Sequence, residues 1–190
     1  VTTPPPGQAA TLGTPVTGPA SRSKFQSSPQ LGATPGASAL AAVGLSRADA
    51  IKRAPRIQID TPRVRGSISL AGARLDDLTL KDYRVSLDKN SEQIDLLQPI
   101  DGAKPYYAEF GWINQDLRLP NRETIWKANG STLSPENPIT LSWDNSEGLV
   151  FEQLYQIDEN FLLTITQRVR NRTTKDVSVA PYGLVSRTSV

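Results

Sequence analysis

The chain has 190 residues, a length that accommodates one domain with a tail. It contains no Cys, His or Met, which excludes a disulfide framework, a thiolate nucleophile, a Ser-His-Asp triad and imidazole ligation of a metal. Net charge is +2, but residues 1–55 hold five Lys/Arg against one Asp, while residues 56–190 hold sixteen against eighteen acidic residues; the part expected to fold lacks the basic surface of a nucleic-acid binder.

Residues 1–55 carry eight of the fifteen prolines and one of the twelve aromatic residues, Phe25. Such a segment buries too little apolar surface to offset its ordering entropy. A disordered Pro/Ala/Gly-rich linker is expected over 1–45, with polyproline II character. Ser46-Arg47-Ala48-Asp49 reads as a helix N-terminus. A short helix or further linker is expected over 46–55, and Pro55 disfavours helix at Ala54. No apolar run approaches eighteen residues, so no membrane-spanning helix is predicted. The chain opens at Val1 without Met, as a processed or excised piece would.

From Arg56 the apolar period is two, and a β domain is expected over 56–190. Ile57 and Ile59 alternate with Gln58 and Asp60, and Ile68 and Leu70 with Ser67 and Ser69. Thr61-Pro62 places the first strand at an edge or ends it. Gly66 and Gly72 suggest a bulge or tight turn, and Asp88-Lys89-Asn90 a turn. The clearest unit is Gly148–Asn171. Leu149, Phe151, Tyr155 and Ile157 share one parity, as do Phe161, Leu163, Ile165 and Val169, about a three-residue turn at Asp158-Glu159-Asn160. This predicts an antiparallel hairpin with Phe151, Phe161 and Leu163 buried and Glu152 and Arg168 exposed. The next strand is expected over Val177–Val185. Strands recur every eight to fifteen residues, which argues for an all-β sandwich. The predicted core is Ile68, Leu70, Leu78, Leu96, Tyr107, Phe110, Trp112, Trp126, Leu141, Trp143, Phe151, Phe161, Leu163 and Ile165.

Candidate chemistry is sparse. The carboxylates of Asp76-Asp77 would point to opposite faces in a strand, or be solvated in a turn, and so would not converge for acid–base work. Asp144-Asn145-Ser146-Glu147 offers oxygen ligands, but the spacing of a calcium loop fails and it reads as a polar hairpin loop. PYYAEFGW (105–112) mixes aromatic residues with Glu109. Core is favoured, with Tyr106 and Glu109 as candidate contacts of a sugar or peptide cleft. Arg168, Arg170 and Arg172 recur at period two, as a solvated strand face or a contact for an acidic partner or lipid headgroups. No catalytic residue, metal ligand or cofactor site is predicted.

Six collinear segments carry a resemblance: RIQIDTPR (56–63), GSISLAGARLDDLT (66–79), PYYAEFGWI (105–113), LSWDN (141–145), GLVFEQ (148–153) and APYGLVSRT (180–188). Together, over about residues 46–190, the chain closely resembles the large periplasmic domain of the YidC/Oxa1/Alb3 family of membrane protein insertases, in its alphaproteobacterial form. The resemblance implies a β-supersandwich like that of galactose mutarotase, truncated at its C-terminus, with an exposed edge and apolar face. It implies attachment at the periplasmic side of the bacterial inner membrane, while the fragment itself would be soluble and monomeric. The expected function is non-catalytic: assisting insertion and folding of inner-membrane proteins through contacts with Sec translocon accessory subunits (SecDF) or with client segments. The alternative is a carbohydrate-binding or carbohydrate-active protein of the mutarotase superfold; mutarotase chemistry uses His with Glu, and the chain has no His.

Overall fold

The computed structural model describes residues 44–188. Residues 1–43, which hold almost all of the expected linker, lie outside them, as do Ser189 and Val190. One helix and eleven strands make up the described part: α1 (Arg47–Ile51), β1 (Arg56–Asp60), β2 (Val64–Ser69), β3 (Arg74–Arg84), β4 (Gln93–Leu97), β5 (Tyr106–Ile113), β6 (Lys127–Ala128), β7 (Thr132–Leu133), β8 (Ile139–Asp144), β9 (Leu149–Ile157), β10 (Leu163–Asn171) and β11 (Ala180–Arg187). Ser46 caps α1, accepting from the Asp49 amide on its hydroxyl. No helix among the described residues is long and apolar enough to cross a membrane.

The strands form two sheets. One runs β11-β5-β3-β2-β1-β7, with β4 pairing on β3; the other runs β10-β9-β8-β6. The fold is an all-β sandwich, as the period-two pattern predicts. β1 ends at Asp60, where Thr61 turns the chain by accepting from the Arg63 and Val64 amides on its hydroxyl. It is an interior strand, held between β2 and the short β7.

Aromatic side chains join the layers. Trp112 of β5 meets the edge of Phe151 of β9, with ring centroids 5.1 Å apart, and stacks near Trp126 at 6.3 Å. Trp143 of β8 flanks Phe151 at 5.9 Å. Polar ties cross the same space: Gln153 and Gln167 donate to the Phe110 and Gly111 carbonyls, and the Tyr155 hydroxyl donates to the Ala73 carbonyl. These bonds satisfy polar atoms that burial would otherwise strand, and they fix the sheets in register. Burial pushes the Tyr155 phenol well above its ordinary range.

Most of the predicted core is buried or packed against it, and five expectations are corrected. Leu96 is exposed and Leu97 is buried, because the irregular pairing of β4 with β3 turns the odd residue inward. Phe161 is a half-buried loop residue with φ +74°, packed on Tyr83 and under Arg63, rather than a strand residue. The β9–β10 connection therefore spans 158–162, closed by the Asp158 amide on the Leu162 carbonyl. Glu152, expected exposed, is buried beneath its ion-pair partner Arg170. The last strand begins at Ala180 rather than Val177.

The fifth correction concerns Asp76 and Asp77. Both are buried in β3, beside a bulge that slips the β2–β3 register between Ser67 and Ile68. An extra residue on one strand cancels the alternation of side chains, so both carboxylates join one network. Arg56 binds Asp76 and the Ser67 hydroxyl, and that hydroxyl donates to Asp77. Arg47 of α1 binds Asp77, Thr79 and Asp95, clamping the helix to the sheet.

Candidate functional site

β3 and β5 pair only at Leu75–Ala108. β3 begins one residue away at Arg74, so beyond that pair β5 runs beside the β2–β3 turn, and a cavity of about 230 Å³ lies there. Its walls come from three places: Gly72 in the β2–β3 turn; Glu109, Phe110 and Gly111 of β5 with Tyr182 of the neighbouring β11; and Pro120, Asn121, Arg122 and Trp126 of the following loop. Two glycines keep it open. A Cβ on Gly111 would stand 2.7 Å from the Tyr182 ring, and one on Gly72, at φ +72°, 2.8 Å from the Arg122 carbonyl oxygen.

The polar groups around this cavity are poorly matched to one another. The Glu109 side chain is 11% exposed, yet its nearest cations, Arg74 Nε and Arg122, stand 3.9 and 4.0 Å away, beyond hydrogen-bond reach. Arg74 itself lines a separate cavity with Arg56 and Asp76; it lies over the Tyr107 ring, and its buried Nε has no hydrogen-bond partner. The buried indole N–H of Trp126 has none either. Each such donor costs about 1–3 kcal/mol if nothing satisfies it. Burial raises the Tyr182 phenol pKa; the nearby Glu109 charge adds to the rise and Arg122 opposes it.

Tyr106 and Glu109, the two candidate contacts in the 105–112 segment, line different cavities. Three residues apart on a strand, they point opposite ways. Tyr106 lines a different cavity, with Asp95, Gln98 and Lys104, under the Arg187 guanidinium 5.2 Å from its ring. Arg74, Arg122, Trp126 and Tyr182 were not singled out as polar contributors. Gly111 within an otherwise bulky strand was the one available sign of a close approach there.

The arginine row lies along the other sheet, at β10. Arg170 binds Glu152, and Arg172 stands 3.4 Å from Asp144. Arg168 faces Glu152 across the ladder and has no carboxylate within ion-pair distance among the described residues. The row is largely neutralised in place. In the Asp144–Glu147 loop, Asn145 is fully buried and its side-chain oxygen accepts from the Glu147 and Leu149 amides. That loop is built by its own hydrogen bonds, and no carboxylate cluster suited to a metal ion occurs among the described residues. In the Asp76–Asp77 network each carboxylate is bound to an arginine. Burial nevertheless raises the Asp76 pKa against the pull of Arg56.

The comparisons with known proteins decide the family. The YidC periplasmic domain profile matches residues 56–190. The chain belongs to the YidC periplasmic domain family. The chain is 44% identical over 186 residues to a membrane protein insertase YidC of Methylorubrum extorquens, covering 95% of this chain and 30% of that protein. It is 48% identical over 138 residues to that of Granulibacter bethesdensis, covering 72% and 24% respectively. The YidC of Bradyrhizobium diazoefficiens is 43% identical over 158 residues, covering 81% of this chain and 26% of that protein. The chain thus spans about a third or less of the curated YidC proteins it matches. Glu109, Arg74, Trp126 and Tyr182 all fall within the part that the family profile covers.

Proposed function

We propose that this chain acts at the periplasmic side of the bacterial inner membrane as the non-catalytic periplasmic part of a membrane protein insertase. It would contribute a surface for polypeptide partners: client segments of inner-membrane proteins, and accessory subunits of the Sec translocon such as SecDF. The observation that carries this reading, beyond family membership, is the outer edge of β11. The strand pairs with β5 on one side and has no strand on its other side among the described residues. Tyr182, Leu184 and Val185, together with Ile113 of β5, are exposed along it. A free row of main-chain groups flanked by apolar side chains is what an added strand requires. Two of the three arginines in the β10 row, Arg170 and Arg172, are already paired with carboxylates of the same sheet, so the reading does not depend on salt bridges to a partner.

The test is titration of the chain, as a monomer, with the periplasmic region of SecDF at low and high salt. Main-chain pairing predicts binding that weakens little as salt rises, whereas exposed charges are screened over about 8 Å at physiological ionic strength. No binding at either salt removes this partner. A steep loss with salt keeps the partner and refutes the strand-pairing route. The non-catalytic reading predicts that the protein leaves the rate of glucose or galactose anomer equilibration, followed by polarimetry, at the buffer rate.

A further inference from the structure

We infer that the cavity lined by Arg74 is a binding site for a single carboxylate group on a short apolar body, supplied by a small organic acid or by an acidic side chain of a polypeptide. No residue of β11 lines this cavity, so the site is independent of the strand-pairing reading above. Arg74 opens β3 with its side chain 9% exposed. A guanidinium carries five N–H donors and no acceptor, and buried charges are ordinarily paired and hydrogen-bonded. Arg74 departs from that rule. Among the described residues its guanidinium makes one hydrogen bond, a long one from Nη2 to the Arg122 carbonyl at 3.5 Å. Its Nε has no partner, and the Glu109 carboxylate stands 3.9 Å from it. The other buried arginine of the cavity shows what Arg74 lacks: Arg56 is bound to the Asp76 carboxylate and to the Ser67 hydroxyl.

The cavity, of about 570 Å³, is walled by the end of α1, the β2–β3 turn and the 99–101 loop. That volume is within the range of about 300–1,000 Å³ common to small-molecule sites. Ala50, Ala54, Ala71, Pro99 and Ile100 give it apolar surface. Its own carboxylates do not serve Arg74, because Asp76 is held by Arg56 and Asp101 pairs with Arg53 at 3.1 Å. A carboxylate presents two coplanar oxygens that match the guanidinium fork, and charge-assisted bonds of this kind are about twice as strong as neutral ones. Charge sets the upper limit. Arg53, Arg56, Arg74 and Arg122 are balanced by Asp76, Asp101, Glu123 and the nearby Glu109. A monocarboxylate adds one negative charge to that set, whereas a phosphate dianion adds two beside the buried Asp76 at greater cost.

The test is an NMR titration of the ¹⁵N-labelled 190-residue chain with sodium butyrate, butyramide and inorganic phosphate at constant ionic strength. Two further probes are blocked alanine tripeptides with glutamate or glutamine at the centre. Arg74→Lys identifies the Arg74 Nε–H resonance. The expected result is a saturable shift of that resonance and of the Ala71 and Ile100 amides, with a Kd of roughly 1–10 mM for butyrate or for the glutamate peptide. Butyramide, the glutamine peptide and phosphate should bind at least about 10-fold more weakly. Saturation by butyrate assigns the site to a small acid, and saturation by the glutamate peptide alone assigns it to a polypeptide side chain. Arg74→Lys keeps the charge but loses the fork and should weaken binding about 10-fold, scored on the Ala71 and Ile100 amides. Ala54→Phe fills the cavity from the α1 side without altering β3, and should weaken binding as much while the β9 and β10 amides keep their parent positions; it decides the matter if Arg74→Lys fails to fold. No saturable shift with either carboxylate overturns the inference. So does equal binding of the amide probes, phosphate binding as tight as butyrate, or unchanged binding in Ala54→Phe.

Discussion

Strands β9 and β10 are each nine residues long, lie side by side in one sheet and are joined by a five-residue loop. Every residue of β9 except Leu154 and Gln156 is buried, while in β10 inward and outward positions alternate between half-buried and exposed. The difference is one of neighbours. β9 is paired on both sides and faces Trp112 of the opposite sheet; among the described residues β10 is paired on one side only. The same contrast separates β5 from β11, where every residue but Ser186 is exposed. A strand's burial thus reports its place in the sheet more than its own hydrophobicity. Leu163, Ile165 and Val169 are as apolar as their partners Ile157, Tyr155 and Phe151, yet remain half open.

The contrast is sharpest where a methyl group is added or a ring removed. Gly66→Ala in the interior strand β2 would place a Cβ 2.0 Å from the Asp77 carbonyl oxygen, main chain that cannot move aside without breaking the β2–β3 ladder. A loss of about 3 kcal/mol or more is expected in urea unfolding. The same change at Gly111 meets the Tyr182 ring, the far end of a side chain on an edge strand, and should cost about 1 kcal/mol. Comparable losses at the two sites would show that β11 is held as firmly as β2.

Phe151→Ala removes a fully buried ring between Trp112 and Trp143 and should cost about 3–5 kcal/mol. Ile165→Ala on β10 should cost about 1 kcal/mol, since its side chain is already partly in water. If Ile165→Ala equals Phe151→Ala in denaturant midpoint, β10 is covered in solution by something other than the described residues.

Hydrogen exchange makes the comparison without mutation. Paired β9 amides should exchange only through global opening, and β11 amides at least about 100-fold faster through local opening. Equal protection would contradict a free edge at β11.

The smallest expected effect is a pH dependence at Asp76. Its carboxyl is raised in the folded protein chiefly by burial. A raised carboxyl binds its proton more readily folded than unfolded. Its contribution to stability is therefore full below the unfolded pKa and is lost as pH rises through the folded one. The stability of the parent relative to Asp76→Asn should fall from acid toward neutral pH. A gap that widens over that range would mean that the pair with Arg56 outweighs burial.

Period two, turn residues and the absence of His and Cys were enough to read an all-β sandwich without a triad, and the six collinear segments were enough to read its family. These are local properties: alternation is fixed by strand geometry, and a missing residue type is missing in every conformation. Tertiary structure decided what depends on a partner strand. The bulge between Ser67 and Ile68 put Asp76 and Asp77 in one network against the alternation rule, and the ladder put Arg170 over Glu152. The meeting of β5 with the β2–β3 turn and the 120–126 loop made the cavity at Glu109, and the packing left Arg74 and Trp126 with unanswered donors. No pattern along the chain encodes where two strands stop pairing, because that is settled by side chains dozens of residues apart competing for the same space.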